Sequence, residues 1–472
     1  MSNHLKAGIM IALLIVCIRV AAAFNVNWIM LLPMFFIMVP VTRLSPPVSA
    51  LSLLYGWVLF GNVNLPSNLG GIHIPVMSFL TAWIIILLIY RRHMDGTLRY
   101  LLRWTVWTYI LLVMAFFATG FLVALYNGFL SNPFVQYYNW DIFRGWMGFF
   151  AVGILGCRNL NDMKVIFIGL PIAFMIYPLS LPVSLWQNLL TQGIYSGSVF
   201  SIGLGYGSLN PNVLGQAAAL AGVVSAGNFF LRKSKILFWI TIIFFAGCFL
   251  ITILTASRQA ILSLVTGLCI IGLVSGFRRG VIVLLSMVFL VYFGGQVLIG
   301  LLPTESGFQL RLLELTEPVE TWKSQSFTIR YTDFIWSLQK WWESPFVGMG
   351  FGGQNYEALV DLDQYNNFLV RGTHNLFIGI LVQTGILGFC LFLLFVLGIL
   401  GRFFRFLDCA PPPWRDNARH SRVVIIGSMF CIFIQQNISG GLGVGSTALI
   451  FMMGSVLGVI GAGTKQYSLQ AE

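Results

Sequence analysis

Charge is scarce in this sequence. Only 9% of the 472 residues are Asp, Glu, Lys or Arg while 58% are hydrophobic, and a globular chain carries about 25% charged residues. The deficit runs the whole length, which excludes a cytosolic enzyme and a disordered regulator. Acids are scarcest where the chain is most apolar. None of the fifteen Asp and Glu falls inside an expected span, Asp141 at the start of one being the nearest, whereas ion-coupled transporters carry acids at membrane depth. Cysteine is also sparse and badly placed for cross-linking. Six of the seven lie in or at the ends of apolar runs and Cys409 lies in a connector, so there is no disulfide framework and no CxxC metal pair.

What is present in quantity is apolar length. Runs of about 17 to 25 residues read as membrane-crossing helices. They fall near 7–24, 26–41, 48–62, 73–90, 104–125, 141–156 and 164–184, then near 212–230, 236–254, 259–276, 281–301, 373–400, 423–438 and 442–462. The expected fold class is an all-α polytopic membrane protein with about 12–14 transmembrane helices. The first run is kept as a span rather than a cleaved leader, because Arg19 interrupts it and the charge alternation needs it. With the N-terminus inside, 19 Lys and Arg fall on the cytoplasmic side, seven outside and one, Arg19, within a span, as the positive-inside rule requires. The net charge of +12 is thus explained by topology, with no nucleic-acid partner.

Three regions follow: an N-terminal transmembrane bundle over 1–301, a large outer loop over 302–372, and C-terminal transmembrane helices over 373–472. Within the loop, Phe327, Tyr331, Phe334, Ile335, Leu338, Trp341 and Trp342 recur at three and four residues. That spacing predicts an amphipathic helix stopped by Pro345, with its aromatic face on the membrane surface or on the bundle. Gly348, Gly350, Gly352 and Gly353 follow and read as a hinge. A second outer loop over 185–211 is glycine-rich and has few charges; the loop over 401–422 is basic and suits anionic headgroups.

The candidate site residues all lie on the expected outer side. Arg258 occupies the tight turn between two spans, where a guanidinium either snorkels to the interface or serves as a bidentate phosphate fork. Arg330 sits on the flank of the loop helix with Asp333 one turn on, and Arg144 opens the sixth span. Two or three such arginines brought together would clamp a diphosphate. Arg371 and His374 precede the twelfth span. His374 is the histidine best placed for general-base work near neutral pH, and Asn375 beside it is placed to orient a ligand. Asp361-Leu-Asp363 reads as polar loop rather than as a metal-holding pair.

Taken in order, several of these pieces resemble the O-antigen ligase and polymerase superfamily. They are Asn210-Pro-Asn212 opening a span, Ser257-Arg258 at the turn, Arg330 followed by Trp336, Glu343-Ser-Pro345-Phe-Val-Gly-Met-Gly-Phe-Gly352, and His374-Asn375-Leu-Phe377 heading Gly385-Ile-Leu-Gly388. The resemblance covers roughly residues 200–400. It implies a membrane-embedded bundle of the C-type glycosyltransferase kind with one large periplasmic loop and cytoplasmic termini, in the bacterial inner membrane. It also implies an inverting, metal-independent glycosyltransferase with no cofactor, acting at the periplasmic face. The donor would be an undecaprenyl diphosphate-linked glycan. The acceptor would be lipid A core for a ligase, which is preferred on the His-Asn pair and the loop arginines, or a second lipid-linked glycan for an O-antigen or exopolysaccharide polymerase. His374 would be the general base, Arg258 and Arg330 would hold the diphosphate, and Arg371 and Arg144 would be further binders. A lipid-linked glycan transporter, moving substrate without forming a bond, is the competing class.

Overall fold

The computed structural model describes residues 2–23, 31–60, 76–101, 103–131, 133–179, 211–229, 235–255, 257–276, 285, 325–353, 375–411, 414–438 and 444–468. Arg371, His374, the Asp361-Leu-Asp363 segment, the loop over 185–210 and all but residue 285 of the expected span at 281–301 lie outside them. In chain order the helices are α1 (Asn3–Ala23), α2 (Leu31–Leu44), α3 (Pro46–Phe60), α4 (Val76–Met94), the single turn α5 (Leu98–Leu101), α6 (Trp104–Tyr126), α7 (Pro133–Gly156) and α8 (Leu160–Leu179). They continue with α9 (Pro211–Asn228), α10 (Lys235–Leu254), α11 (Arg258–Ser275), α12 (Gln325–Glu343), α13 (Leu376–Asp408), α14 (Arg415–Ile438) and α15 (Val444–Ser468). Every other expected span coincides with one of these helices. Among the described residues α6, α11 and α13 are long and apolar enough to cross a membrane by length and composition, and shorter apolar helices accompany them. The chain is an all-α polytopic membrane protein.

Small residues set how the helices meet, as expected where packing rather than the hydrophobic effect drives association. Gly153 of α7 lies against the backbone of α15, while Gly454 and Gly458 of α15 lie against the carbonyls of Phe150 and Ile154, so the two backbones touch. The Ala- and Gly-rich α9 is enclosed by α8, α10, α11 and α14. Helix α6 packs on α13, which also meets α14 and α15.

Among the described residues, several of the cations expected to be cytoplasmic are tied to neighbouring helix ends by their side chains. Arg158 bridges Asp95 at 2.8 Å and Asp162 at 3.3 Å. Arg422 pairs with Asp408, and Arg402 lies 5.3 Å over the Tyr109 ring. The buried Arg92 donates Nε to the Leu155 carbonyl, 2.7 Å away, at the end of α7. Burial pushes the Cys157 thiol in the α7–α8 turn up to about 12, so it stays protonated and inert, in keeping with a structural role. The helix ends opposite to these are called outward below.

Two expectations need correction. The glycine stretch after α12 is no hinge, because its backbone is pinned inside the bundle. Helix α13 is broken at Gly385, with φ 63° and ψ −169°, and the segment 345–351 fills the break. The amides of Ile386 and Leu387 donate to the carbonyls of Pro345 and Phe346, at 2.9 and 3.1 Å. In return, the amides of Met349 and Gly350 donate to the carbonyls of Val382 and Gln383, at 2.8 and 2.9 Å, and Phe351 donates to Gly120 of α6 at 3.0 Å. A backbone break at this depth survives because each freed group finds a partner. Part of the expected outer loop is therefore built into the bundle. Arg144, in turn, does not open its helix: α7 begins at Pro133, because the polar and aromatic residues 133–140 continue the helix past the apolar run. Asp141 is likewise inside that helix.

Gly385 has a left-handed backbone and its added Cβ would strike the carbonyl of Phe346. Gly385→Ala should therefore destabilise the protein by about 2 kcal/mol or more, lowering the melting temperature in detergent. Gly401→Ala, in open space on the same helix, should leave it unchanged or slightly raised.

Candidate functional site at the outward helix ends

Helix α10 ends at Leu254, and the chain turns through Thr255 and Ser257 into α11, whose first residue is Arg258. The turn is tight because Gly215 of α9 lies against Thr255, Ser257 and Ala260, with no room for a side chain. Ser257 is the N-cap by position, but its hydroxyl makes no capping bond. Arg258 is half-buried and stands at the positive end of an 18-residue helix. A fixed guanidinium and a helix N-terminus together favour an anion.

Helix α14 runs alongside α11 in antiparallel register, with Gly427 facing Ile271, Gly267 facing Cys431 and Ser263 facing Gln435. Near its outward end, Gln435 Nε2 donates to the Gln216 carbonyl of α9 at 3.0 Å and to Ser263 Oγ of α11 at 3.1 Å. Two residues on, Asn437 joins α14 to the start of α13. The Asn437 carbonyl accepts from Asn375 Nδ2 at 3.1 Å, Asn437 Oδ1 accepts from the Phe377 amide at 3.5 Å, and the rings of Phe377 and Phe433 stack at 5.7 Å. Asn375 Oδ1 accepts from the Ile378 amide at 3.0 Å, capping α13. Asn375 therefore acts as a helix cap that moors α13, and it fixes the backbone next to His374.

Helix α12 packs on α13. Asp333 and Ser337 are buried and Arg330 is half-buried one turn before them, so the inward stripe is polar. Tyr331, Ile335 and Trp342 are exposed alongside the polar Thr332, Gln339 and Glu343, as on a helix lying at a membrane interface. The expected aromatic stripe is thus divided, and its outermost members look away from the protein. Trp341 Nε1 donates to the Pro345 carbonyl at 3.2 Å, tying the end of α12 to the segment that fills the α13 break.

The outward ends of α11 and α13, carrying Arg258 and Asn375, are thus joined through α14, and Arg330 stands on the inward stripe of the helix packed on α13. Arg144 lies on α7, which packs chiefly on α15 and α4. A cavity of about 580 Å³ opens between α6 and α7, lined mainly by Phe117, Phe121, Trp140, Phe143 and Phe351, and none of the described candidate residues lines it. Sequence reasoning passed over Gln435, Gln436 and Asn437. The signal was available, since three amides end an otherwise apolar span where polar side chains are costly.

Residues 241–393 match the family model described as O-antigen ligase. Over that stretch the chain is similar to the O-antigen ligase family. The match takes in most of α10, all of α11 and α12 and the first half of α13, and it contains Arg258, Arg330, Arg371, His374 and Asn375, while Arg144 and the amides of α14 lie beyond its ends. Helix α14, which lies outside the match, supplies the contacts that join the outward ends of α11 and α13. Among curated proteins, none matches the chain.

Replacing Asn375 by Ala removes both the cap and the bond to α14, and should cost about 1–2 kcal/mol of stability. Asn375→Asp keeps an acceptor for the Ile378 amide and should cost less. Melting curves of the two variants in detergent test this order.

Proposed function

We propose that the protein is an inverting, metal-independent glycosyltransferase of the bacterial inner membrane. Both termini would be cytoplasmic and the reaction would occur at the periplasmic face. It takes a glycan from undecaprenyl diphosphate and passes it to a sugar hydroxyl, most simply as an O-antigen ligase acting on lipid A core. The observation that carries this reading is the O-antigen ligase match over the stretch that holds Arg258, Arg330, His374 and Asn375 in order.

In this reading His374 takes the proton from the acceptor hydroxyl as the oxygen attacks the anomeric carbon. The bond from that carbon to the diphosphate oxygen breaks on the opposite face, and Arg258 and Arg330 stabilise the charge that collects on the leaving diphosphate. The N-terminus of α11 adds to that field. Arg371 and Arg144 are assigned supporting contacts with substrate, and Asn375 acts by holding the backbone that presents His374.

Purified protein reconstituted with undecaprenyl diphosphate-linked repeats should give a single product shift that requires lipid A core. His374→Ala should remain folded and form no product. A ladder formed from lipid-linked repeats alone would make the protein a polymerase. Glycan crossing the bilayer without bond formation, or full activity in His374→Ala, would overturn the reading.

A further inference from the structure

Three buried side chains at the outward end of α11 and α14 carry polar atoms with no partner. They are Ser257, Gln259 and Gln436, at 4%, 2% and 1% exposure. The hydroxyl of Ser257 and both amide atoms of each glutamine make no hydrogen bond. This is unusual: an unmet buried polar group costs about 1–3 kcal/mol, and native structures keep few of them. Gln435, the residue before Gln436, does find partners, its Nε2 donating to the Gln216 carbonyl and to Ser263, so the seam is not merely loosely packed. Gln259 is one turn outward of Ser263 on the face that meets α14, and Gln436 adjoins Gln435. The unmet amides therefore lie within about one or two helical turns of each other along the seam, at the end of α11 that carries Arg258.

The chemistry of the unmet atoms identifies what would satisfy them. A phosphate offers only acceptors at neutral pH, so it could meet an amide N–H₂ but would leave the carbonyl oxygen of each glutamine unpaired. A sugar hydroxyl both donates and accepts, and meets the two ends of a carboxamide at once. We infer that Gln259 and Gln436, with Ser257, hydrogen-bond hydroxyl groups of the sugar next to the diphosphate that Arg258 holds, and so set which glycan the enzyme accepts. This rests on the proposed donor and adds to it a sugar-reading seam on α11 and α14, half of which lies outside the O-antigen ligase match.

The test compares two probes on the full-length protein in nanodiscs: undecaprenyl diphosphate alone, and undecaprenyl diphosphate bearing the glycan. The variants are Gln259→Leu and Gln436→Leu. Each should weaken binding of the glycan-bearing lipid about tenfold, the loss of one well-met amide, and leave binding of the sugar-free lipid unchanged. Each should also melt at the same temperature as the parent or higher without ligand, because leucine removes an unmet polar group. Equal loss on both probes, no loss on either, or a lowered melting temperature would overturn the inference by assigning the amides to the phosphate or to the fold. Binding of neither probe by the parent protein would overturn the proposed donor and this inference together, a result distinct from any of these.

Discussion

A membrane interior offers no water to an unpaired backbone group, and the arrangement at the outward end follows from how this chain meets that constraint at Gly385. Breaking α13 there frees amides and carbonyls that only another backbone can satisfy. Segment 345–351 does so, exchanging four hydrogen bonds with the break and adding a fifth to α6. Its glycines are the means: Gly348 and Gly350 have positive φ, and any side chain on them would strike the backbones of α13 and α6. Because α12 leads directly into this segment, its position against α13 is set by the same contacts, and with it the inward placement of Arg330.

The start of α13 is held independently. Asn375 caps the helix and bonds to Asn437, while Gln435, two residues earlier on α14, bonds to α9 and α11. One helix outside the O-antigen ligase match thus sets the relation between the turn that carries Arg258 and the backbone next to His374. On the proposed mechanism this is what a diphosphate-leaving reaction needs, since the base and the groups that receive the leaving charge must keep fixed distances with water largely excluded. Asn375 supplies no chemistry of its own in this account; it keeps its neighbour in place.

Much of this was legible in the residues, and what was not has a common physical origin. Apolar length and the distribution of Lys and Arg marked out the helices and their charged ends, because both depend on local sequence alone. The spacing of Phe327 to Trp342 marked α12 to within two residues of its ends. Which of its residues meet α13 was not legible, because periodicity identifies a stripe but not which neighbour it meets. The break at Gly385, the filling of it by residues 345–351, and the amide seam on α14 depend on contacts 33 to 231 residues apart in sequence. Arg258, Arg330 and Asn375 were found as residues, but the joining of their helices through α14 had no local signature.

The most direct test of the central claim is electron cryomicroscopy of the full chain in nanodiscs with undecaprenyl diphosphate bound. The account predicts diphosphate density at the outward end, in contact with Arg258 at the head of α11 and with Arg330 on the inward stripe of α12. Density that touches neither arginine, or that lies at the opposite helix ends, would contradict it.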